Sequence, residues 1–292
     1  MKENGIIIIN KPAGCTSHDV VYQVKKIFGS KVGHTGTLDP MATGVLPLLI
    51  GEGTKTSKYL INHDKTYQVK LQLGKKTETA DSEGKVIEEK EVPQEILENS
   101  KIEKTLEIFL GKQEQVPPMY SAIKVNGKKL YEYARKGQKV ELPSRSIEIY
   151  KITLLNINIQ SKQITFEVSC SKGTYIRSLC EDIAVKLGTV GYMIELKRTQ
   201  VGEFTLEQAV TLEELKEYQN DEEFIKEHFI TIEKLFGNKQ SICLEQRKLE
   251  LFLNGVQLTQ DLEDGIYRIY CQQQFIGVGI VKNKLLKRDV VV

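Results

Sequence analysis

"IEIYKITLLNINIQSKQITFEVSCSKGTYIRSLCEDIAVKLG", residues 147–188, changes its hydrophobic period once. From Ile147 to Ile159, and again in "QITFEVSCSKG" from Gln163, apolar and polar residues alternate as a half-buried strand requires. Ser161 and Lys162 turn the chain back between the two runs, so an antiparallel hairpin is expected. Ile176, Leu179, Ile183 and Leu187 then recur at helical spacing and stop at Gly188, with Thr174 as the expected cap. A hairpin feeding a helix, without a regular strand–helix–strand rhythm, points to an α+β fold around a mainly antiparallel sheet.

The flanking sequence extends this pattern. "GIIIIN" (5–10) reads as a buried strand, and Ser17 is placed to cap a helix carrying Val20, Val21, Val24, Ile27 and Phe28 up to Gly29. "VLPLLI" (45–50) and "TYQVKLQL" (66–73) are two further strands, and a helical pattern runs from Gln94 to Leu110. "PPMYSAIKVNGKKLYEYARKG" (117–137) mixes extended and helical pieces. An acidic helical stretch, "EELKEYQNDEEFIKEH" (213–228), gives way near Asn238 to "NGVQL", "DGIYRIYCQQQFIGVGIV" and "LLKRDVVV", short strands with Gly turns. Two units are therefore expected, a large domain over 1–239 and a small β-rich one over 240–292.

Net charge is only +2, from 41 basic against 39 acidic residues, so nucleic-acid binding must rest on where the charges lie. "KVNGKKLYEYARKGQK" (124–139) is basic with interleaved tyrosines and suits a phosphate-facing surface. The cysteines, Cys15, Cys170, Cys180, Cys243 and Cys271, are odd in number and form no CxxC pair. Reduced thiols and a cytoplasmic setting are expected. His18, His34, His63 and His228 are dispersed with no HExxH, so no metal site is expected, and no membrane span is read.

"GHTGTLDPMATG" (33–44) carries a single carboxylate, Asp39, followed by Pro40. Proline disfavours the helical region for the residue before it, so Asp39 is expected in a pre-set extended conformation. No phosphate loop is present: "GEGTKTS" (51–57) has Thr54 before Lys55 where a Walker loop has Gly, and no GxGxxG opens a helix.

In order and spacing, "KPAGCTSHDVV" (11–21), "GHTGTLDPMATGVLPLLIGEGTK" (33–55), "KTYQVKLQLGKKTETADSEG" (65–84), "PPMYSAIKVNGKKLYEYARKG" (117–137) and "SKGTYIRSLCEDIAVKLG" (171–188) resemble the TruB-type tRNA pseudouridine synthases. The resemblance implies a pseudouridine-synthase-like fold and the isomerisation of one tRNA T-arm uridine, position 55 in the usual tRNA convention, to pseudouridine. It implies no cofactor and no metal, and a monomer is expected. Asp39 matches the essential aspartate, Arg177 the arginine that pairs with it, and Tyr67 the tyrosine that stacks on the target base. Tyr175 and Leu196 match residues shaping the uracil pocket, Lys55 is implied as a substrate-binding residue, and His34 matches a histidine that fills the gap left by the flipped nucleotide. Residues 240–292 resemble a PUA-like RNA-binding domain in strand order. The one departure is "LKRT" (196–199), where the family shows Leu-Arg-Arg-Thr. Lys197 is read as tuning a backbone or phosphate contact.

The implied reaction suits these residues. The N1–C1′ bond breaks, the uracil turns, and C5 joins the same carbon with no external group. Asp39 must be ionised whether it attacks the base, attacks the sugar or removes a proton in an elimination. The residues do not choose among these routes. A guanidinium from Arg177 favours the ionised form by charge attraction and bidentate hydrogen bonding. Two alternatives stay open: a non-catalytic RNA-binding protein on the same scaffold, and a uracil glycosylase, which would release free base.

Overall fold

The computed structural model describes residues 4–121, 124–125, 127–134, 138, 140 and 143–292. In chain order the strands are β1 (Gly5–Lys11), β2 (Val32–His34), β3 (Thr43–Ile50), β4 (Lys65–Leu73), β5 (Lys75–Thr77), β6 (Val86–Glu89), β7 (Gly111–Gln115), β8 (Lys124–Val125), β9 (Lys128–Lys129) and β10 (Arg145–Asn158). They continue as β11 (Gln163–Cys170), β12 (Gly191–Val201), β13 (Phe204–Thr205), β14 (Phe229–Thr231), β15 (Ser241–Cys243), β16 (Leu258–Thr259), β17 (Gly265–Cys271), β18 (Gln274–Lys282) and β19 (Leu285–Val291). The helices are α1 (Ser17–Phe28), α2 (Ser57–Leu60), α3 (Asn99–Glu107), α4 (Leu130–Ala134), α5 (Ile176–Lys186), α6 (Leu212–Glu217), α7 (Glu222–His228), α8 (Ile232–Leu235) and α9 (Gln246–Leu253).

The hairpin read at Ser161–Lys162 is present as β10 and β11, and the helix that follows is α5. The ten-stranded sheet runs β14-β1-β3-β12-β4-β11-β10-β7, with β2 on β3 and β13 on β12. Every pairing in it is antiparallel except β3 with β12. The all-apolar "IIII" of β1 is accounted for by packing on both faces of the strand, since Ile6, Ile7, Ile8 and Ile9 are all fully buried. The main core gathers Ile7 and Ile9 with Val20 and Val24 of α1, Leu46 and Leu48 of β3, Val69 and Leu71 of β4, Phe166 of β11 and Leu179 and Ile183 of α5, while Ile6 and Ile8 pack with Val45, Leu49 and Phe204 in a second cluster.

Two cap assignments differ from expectation. Thr16, not Ser17, caps α1: its hydroxyl accepts from the Asp19 amide while the Asp19 carboxylate accepts from the Thr16 amide. Tyr175 is the N-cap of α5, and the Thr174 hydroxyl donates instead to the Ser171 carbonyl at 2.9 Å. Neither β14, which adds an edge to β1, nor α9 was read from the sequence. Both are short and embedded in strongly polar stretches. Part of the basic run 124–139 lies outside the described residues.

A second sheet, β15-β17-β18-β19-β16, closes the chain and packs with α9 around Phe252, Ile269 and Leu286. It meets the larger sheet through Ile232, Phe236, Val278 and Val290, with the Tyr59 ring edge-on to Phe236 at 5.2 Å. The Asp289 carboxylate accepts there from Lys58 and from the Tyr59 hydroxyl. No helix among the described residues is long and apolar enough to cross a membrane.

The parallel junction of β3 with β12 requires glycine at Gly44. Its φ is +104°, and a Cβ there would stand 2.1 Å from the Arg198 carbonyl oxygen. Gly44→Ala is expected to lower stability by about 3 kcal/mol, through strained backbone plus overpacking. Urea unfolding checks this, with a lower midpoint and an unchanged slope as the expected result.

Candidate active site

The Asp39 loop is fixed at both ends by buried polar groups. The Lys11 ammonium, fully buried, donates to the carbonyls of Pro12, Pro40 and Ala42 at 2.8, 3.2 and 2.7 Å. Ser17, free of the capping role, uses its hydroxyl to accept from the Leu38 amide at 2.9 Å and to donate to the Leu38 carbonyl at 3.1 Å. The Ala42 amide closes a turn onto the Asp39 carbonyl at 3.0 Å, with Pro40 in the second position that favours its fixed φ. Upstream, Arg198 donates to the Gly36 carbonyl at 3.0 Å. Three side chains distant in sequence thus hold the loop that carries Asp39.

Arg177 stands at the start of α5, facing Asp39. Its Nε lies 3.1 Å from Asp39 Oδ2 and its Nη2 donates to Oδ1 at 3.4 Å, a two-point contact. The same guanidinium reaches Asp81 Oδ2 at 3.5 Å and donates to the carbonyls of Thr79 at 3.3 Å and Tyr120 at 3.0 Å. Asp81 is buried and is held by the Thr79 hydroxyl and the Glu83 amide. The first turn of α5 is positioned by Gln115 of β7, whose amide side chain donates to the Tyr175 carbonyl at 3.0 Å and accepts from the Tyr175 amide at 2.8 Å.

Asp39 and Arg177 line a cleft of about 620 Å³ that also takes in Tyr67, Tyr175, Leu196, Lys65, Lys172 and Arg198. Tyr67 on β4 lies opposite Arg198 on β12, and Val69 lies opposite Leu196, so Tyr67 and Leu196 share one sheet face. The Tyr67 phenol is buried and hydrogen-bonded by Arg198, and burial pushes it up to about 12, which keeps it neutral near pH 7. Lys197 points to the opposite face and is exposed, so replacing the usual arginine there leaves the cleft untouched.

Two sequence-derived residues are not in the cleft wall. Lys55 is on a 3₁₀ turn, half exposed, with its ammonium paired to Glu52. His34 is in β2, opposite Leu48, with a buried Nδ1 that has no hydrogen-bond partner among the described residues; burial, and then the nearby Arg198 charge, hold its pKa below the usual histidine value. Conversely, the sequence reading marks none of Asp81, Arg198, Lys11 and Gln115 as a site residue, and marks Ser17 only as a helix cap. Arg198 had a usable signal: it occupies the same inward register as Leu196, where a strand ordinarily places an apolar residue.

Burial raises the Asp39 carboxyl above the ordinary aspartate value, Arg177 opposes that rise, and Asp81 adds to it. The expected benefit of Arg177 is therefore present but outweighed by desolvation. For a carboxyl raised on folding, the native state holds the proton more tightly. Stability then falls as pH rises from the unfolded to the folded pKa and is level above it. Asp39→Asn is thus expected to be more stable than the parent near pH 7, with the gap closing as pH falls through that window. Carboxylate NMR titration should place Asp39 above free aspartate, higher still in Arg177→Met and lower in Asp81→Asn.

Residues 24–176 match the N-terminal domain profile of TruB family pseudouridylate synthases, and residues 177–236 match the tRNA pseudouridylate synthase B C-terminal domain. The chain is 41% identical over 295 residues to a protein of Caldanaerobacter subterraneus subsp. tengcongensis named tRNA pseudouridine synthase B, covering 98% of each. It is 44% identical over 283 residues to the Clostridium tetani protein of the same name, covering 94% of this chain and 95% of that protein. Among solved structures, a Cbf5-Nop10-Gar1 complex aligns with a TM-score of 0.70 at 26% identity over 99% of this chain and 84% of that one. An archaeal box H/ACA sRNP Nop10-Cbf5 complex aligns at 0.68 and 25% identity, over 100% of this chain and 85% of that one. With a profile match over more than half its length and near-complete relatives above 40% identity, this chain belongs to the TruB family of pseudouridylate synthases.

Proposed function

We propose that the chain isomerises a uridine in the T arm of tRNA, position 55 in the usual convention, to pseudouridine at the cleft around Asp39. The observation carrying this reading is the two-point contact of Arg177 with Asp39 inside a nucleotide-sized cleft. Arg177 fixes the carboxylate's orientation and supports its charge. Burial raises its basicity, which strengthens it as nucleophile or base, the character all three routes require. In any of them the N1–C1′ bond breaks, C5 forms the new bond to C1′, the C5 proton leaves and N1 gains one.

A uridine stacked in a folded loop must be flipped out to reach Asp39, at a cost of a few kcal/mol offset by contacts to the RNA. Tyr67 offers a neutral ring for the flipped base, with Tyr175 and Leu196 as pocket walls. His34, uncharged at neutral pH, offers a flat ring suited to the vacated position in the RNA stack. Lys55, away from the cleft, is placed for a backbone phosphate at longer reach. Residues 240–292 extend the RNA footprint beside a catalytic unit of 1–239. The enzyme acts as a monomer in the cytoplasm.

Asp39→Asn tests the chemistry, since the amide keeps shape but is neither an effective nucleophile nor a base. Its melting temperature should equal or exceed the parent's, and tRNA binding should stay within about tenfold, roughly 1.4 kcal/mol. Carbodiimide-blocked primer extension should detect pseudouridine at the T-arm uridine with the parent and none with the variant. Turnover by the amide form, once deamidation is excluded by mass spectrometry, or release of free uracil by the parent, would overturn the assignment.

A further inference from the structure

The cleft is electrically two-ended. Asp39 and Asp81 share the guanidinium of Arg177 at one end. Lys65, Lys172 and Arg198 line the rest of the same cleft, and among the described residues none of these three has a carboxylate within 4.0 Å. The Lys65 ammonium donates to the His63 carbonyl, and Lys172 Nζ donates to Asn62 Oδ1 at 2.6 Å. Both acceptors are neutral, and each uses one of an ammonium's three donors. Arg198 is wholly buried and spends its hydrogen bonds on the carbonyls of Val45 and Gly36 and on the Tyr67 phenol. The carboxylate of Asp64 acts on Lys65 from beyond ion-pair range and accepts from the Tyr150 hydroxyl at 3.3 Å.

Two cations, one half-buried and one at the rim, therefore stand beside a third buried one without an anion. Partial burial, and then repulsion from Arg198, depress the Lys65 ammonium, as expected where positive charge lacks a counter-charge. Position adds to charge. Lys65 and Tyr67 are two residues apart on β4 and face the same side, about 7 Å apart along the strand. A base lying on Tyr67 would bring its backbone to Lys65. The Lys65 stem also passes close to Gly36, where a Cβ would be 3.8 Å from Lys65 Cε and 3.6 Å from Arg198 Nη1.

We propose that Lys65, with Lys172 beside it, binds a phosphodiester flanking the flipped uridine, and so fixes which way round the nucleotide lies with its base toward Asp39. The assignment rests on the uridine-isomerising reading above. Phosphate bound here would complete the charge that the protein leaves open. The buried Arg198 would strengthen the hold through its field, without direct contact.

The test uses the full chain and three T-arm hairpins: one unmodified, and two in which a neutral methylphosphonate replaces the phosphate on the 5′ or the 3′ side of the target uridine. Affinity is read by fluorescence anisotropy across a salt series, and pseudouridine formation in a single turnover. Lys65→Gln should weaken binding to the unmodified hairpin about tenfold and flatten the slope of log affinity against log salt by about 0.7, one single-strand phosphate contact. Lys65→Arg should recover most of that loss, and Lys172→Gln should lose about threefold. On one of the two methylphosphonate hairpins the parent should bind about tenfold more weakly, and Lys65→Gln should lose nothing further. Equal losses for Lys65→Gln on all three hairpins, or none on any, would overturn the phosphate assignment. If the parent meanwhile converts the unmodified hairpin, only that assignment falls; if it converts none, the isomerase reading falls with it.

Discussion

A single guanidinium, that of Arg177, stands between two carboxylates in a largely buried setting. A buried charge without a partner is costly, and removing the last partner of one typically costs 3–5 kcal/mol. Arg177 can therefore neither leave nor rotate without exposing Asp81 to that cost. Its remaining N–H groups are committed to the carbonyls of Thr79 and Tyr120, so the fork has one orientation. The direction of the Asp39 carboxylate follows from that orientation. Asp81 is consequently a positioning residue: it does not line the cleft, yet it anchors the cation that aims the reacting group.

The sheet supplies the other wall by a comparable economy of connections. Its antiparallel pairs form two groups, β14-β1-β3 and β12-β4-β11-β10-β7, joined by the short parallel contact of β3 with β12. The Asp39 loop enters the sheet at the start of β3, and Arg198 lies in β12 across the junction, so one seam brings the acid loop beside Tyr67 and Leu196. Side chains on both sides stitch it. Lys11 and Ser17 hold the loop from the β1–α1 side, and Arg198 reaches back to Gly36 and Val45. The antiparallel fold class alone does not require this junction, which is why Gly44 must admit the Arg198 backbone so closely.

How far the sequence discloses this arrangement depends on the range of each interaction. The alternation in β11, the helical spacing in α5 and the Asp39–Pro40 corner are local patterns and are present, whereas the alternation expected along β10 is interrupted by register shifts between Ile149 and Lys151 and between Leu154 and Asn156. Ser17 and Thr174 were read as caps because a hydroxyl before a helix satisfies its free amides. In each case a neighbour takes the capping position, and Ser17 serves a loop 21 residues away. Asp81 sits in a polar turn, "TETADSEG", whose composition is that of an ordinary surface loop; only its contact with Arg177, 96 positions downstream, marks it out. Lys55 and His34 illustrate the converse. The family resemblance gives both substrate-binding roles, and the strand and turn geometry sets them outside the cleft wall.

The pairing of Arg177 also governs what happens when RNA arrives. About a third of the Asp39 side chain is exposed in the cleft. A base laid over Tyr67 would cover that surface and remove its remaining hydration, driving the carboxyl further toward the protonated form. The opposing influence is the nearby guanidinium, and the same loss of water strengthens its attraction for the carboxylate. Desolvation thus sharpens both terms at once, and geometry sets how strongly the guanidinium opposes the rise, a two-point contact at hydrogen-bond distance being the strongest arrangement open to it. A looser cation, such as a lysine in place of Arg177, would supply the charge without the fork and would lose that contest as the cleft filled.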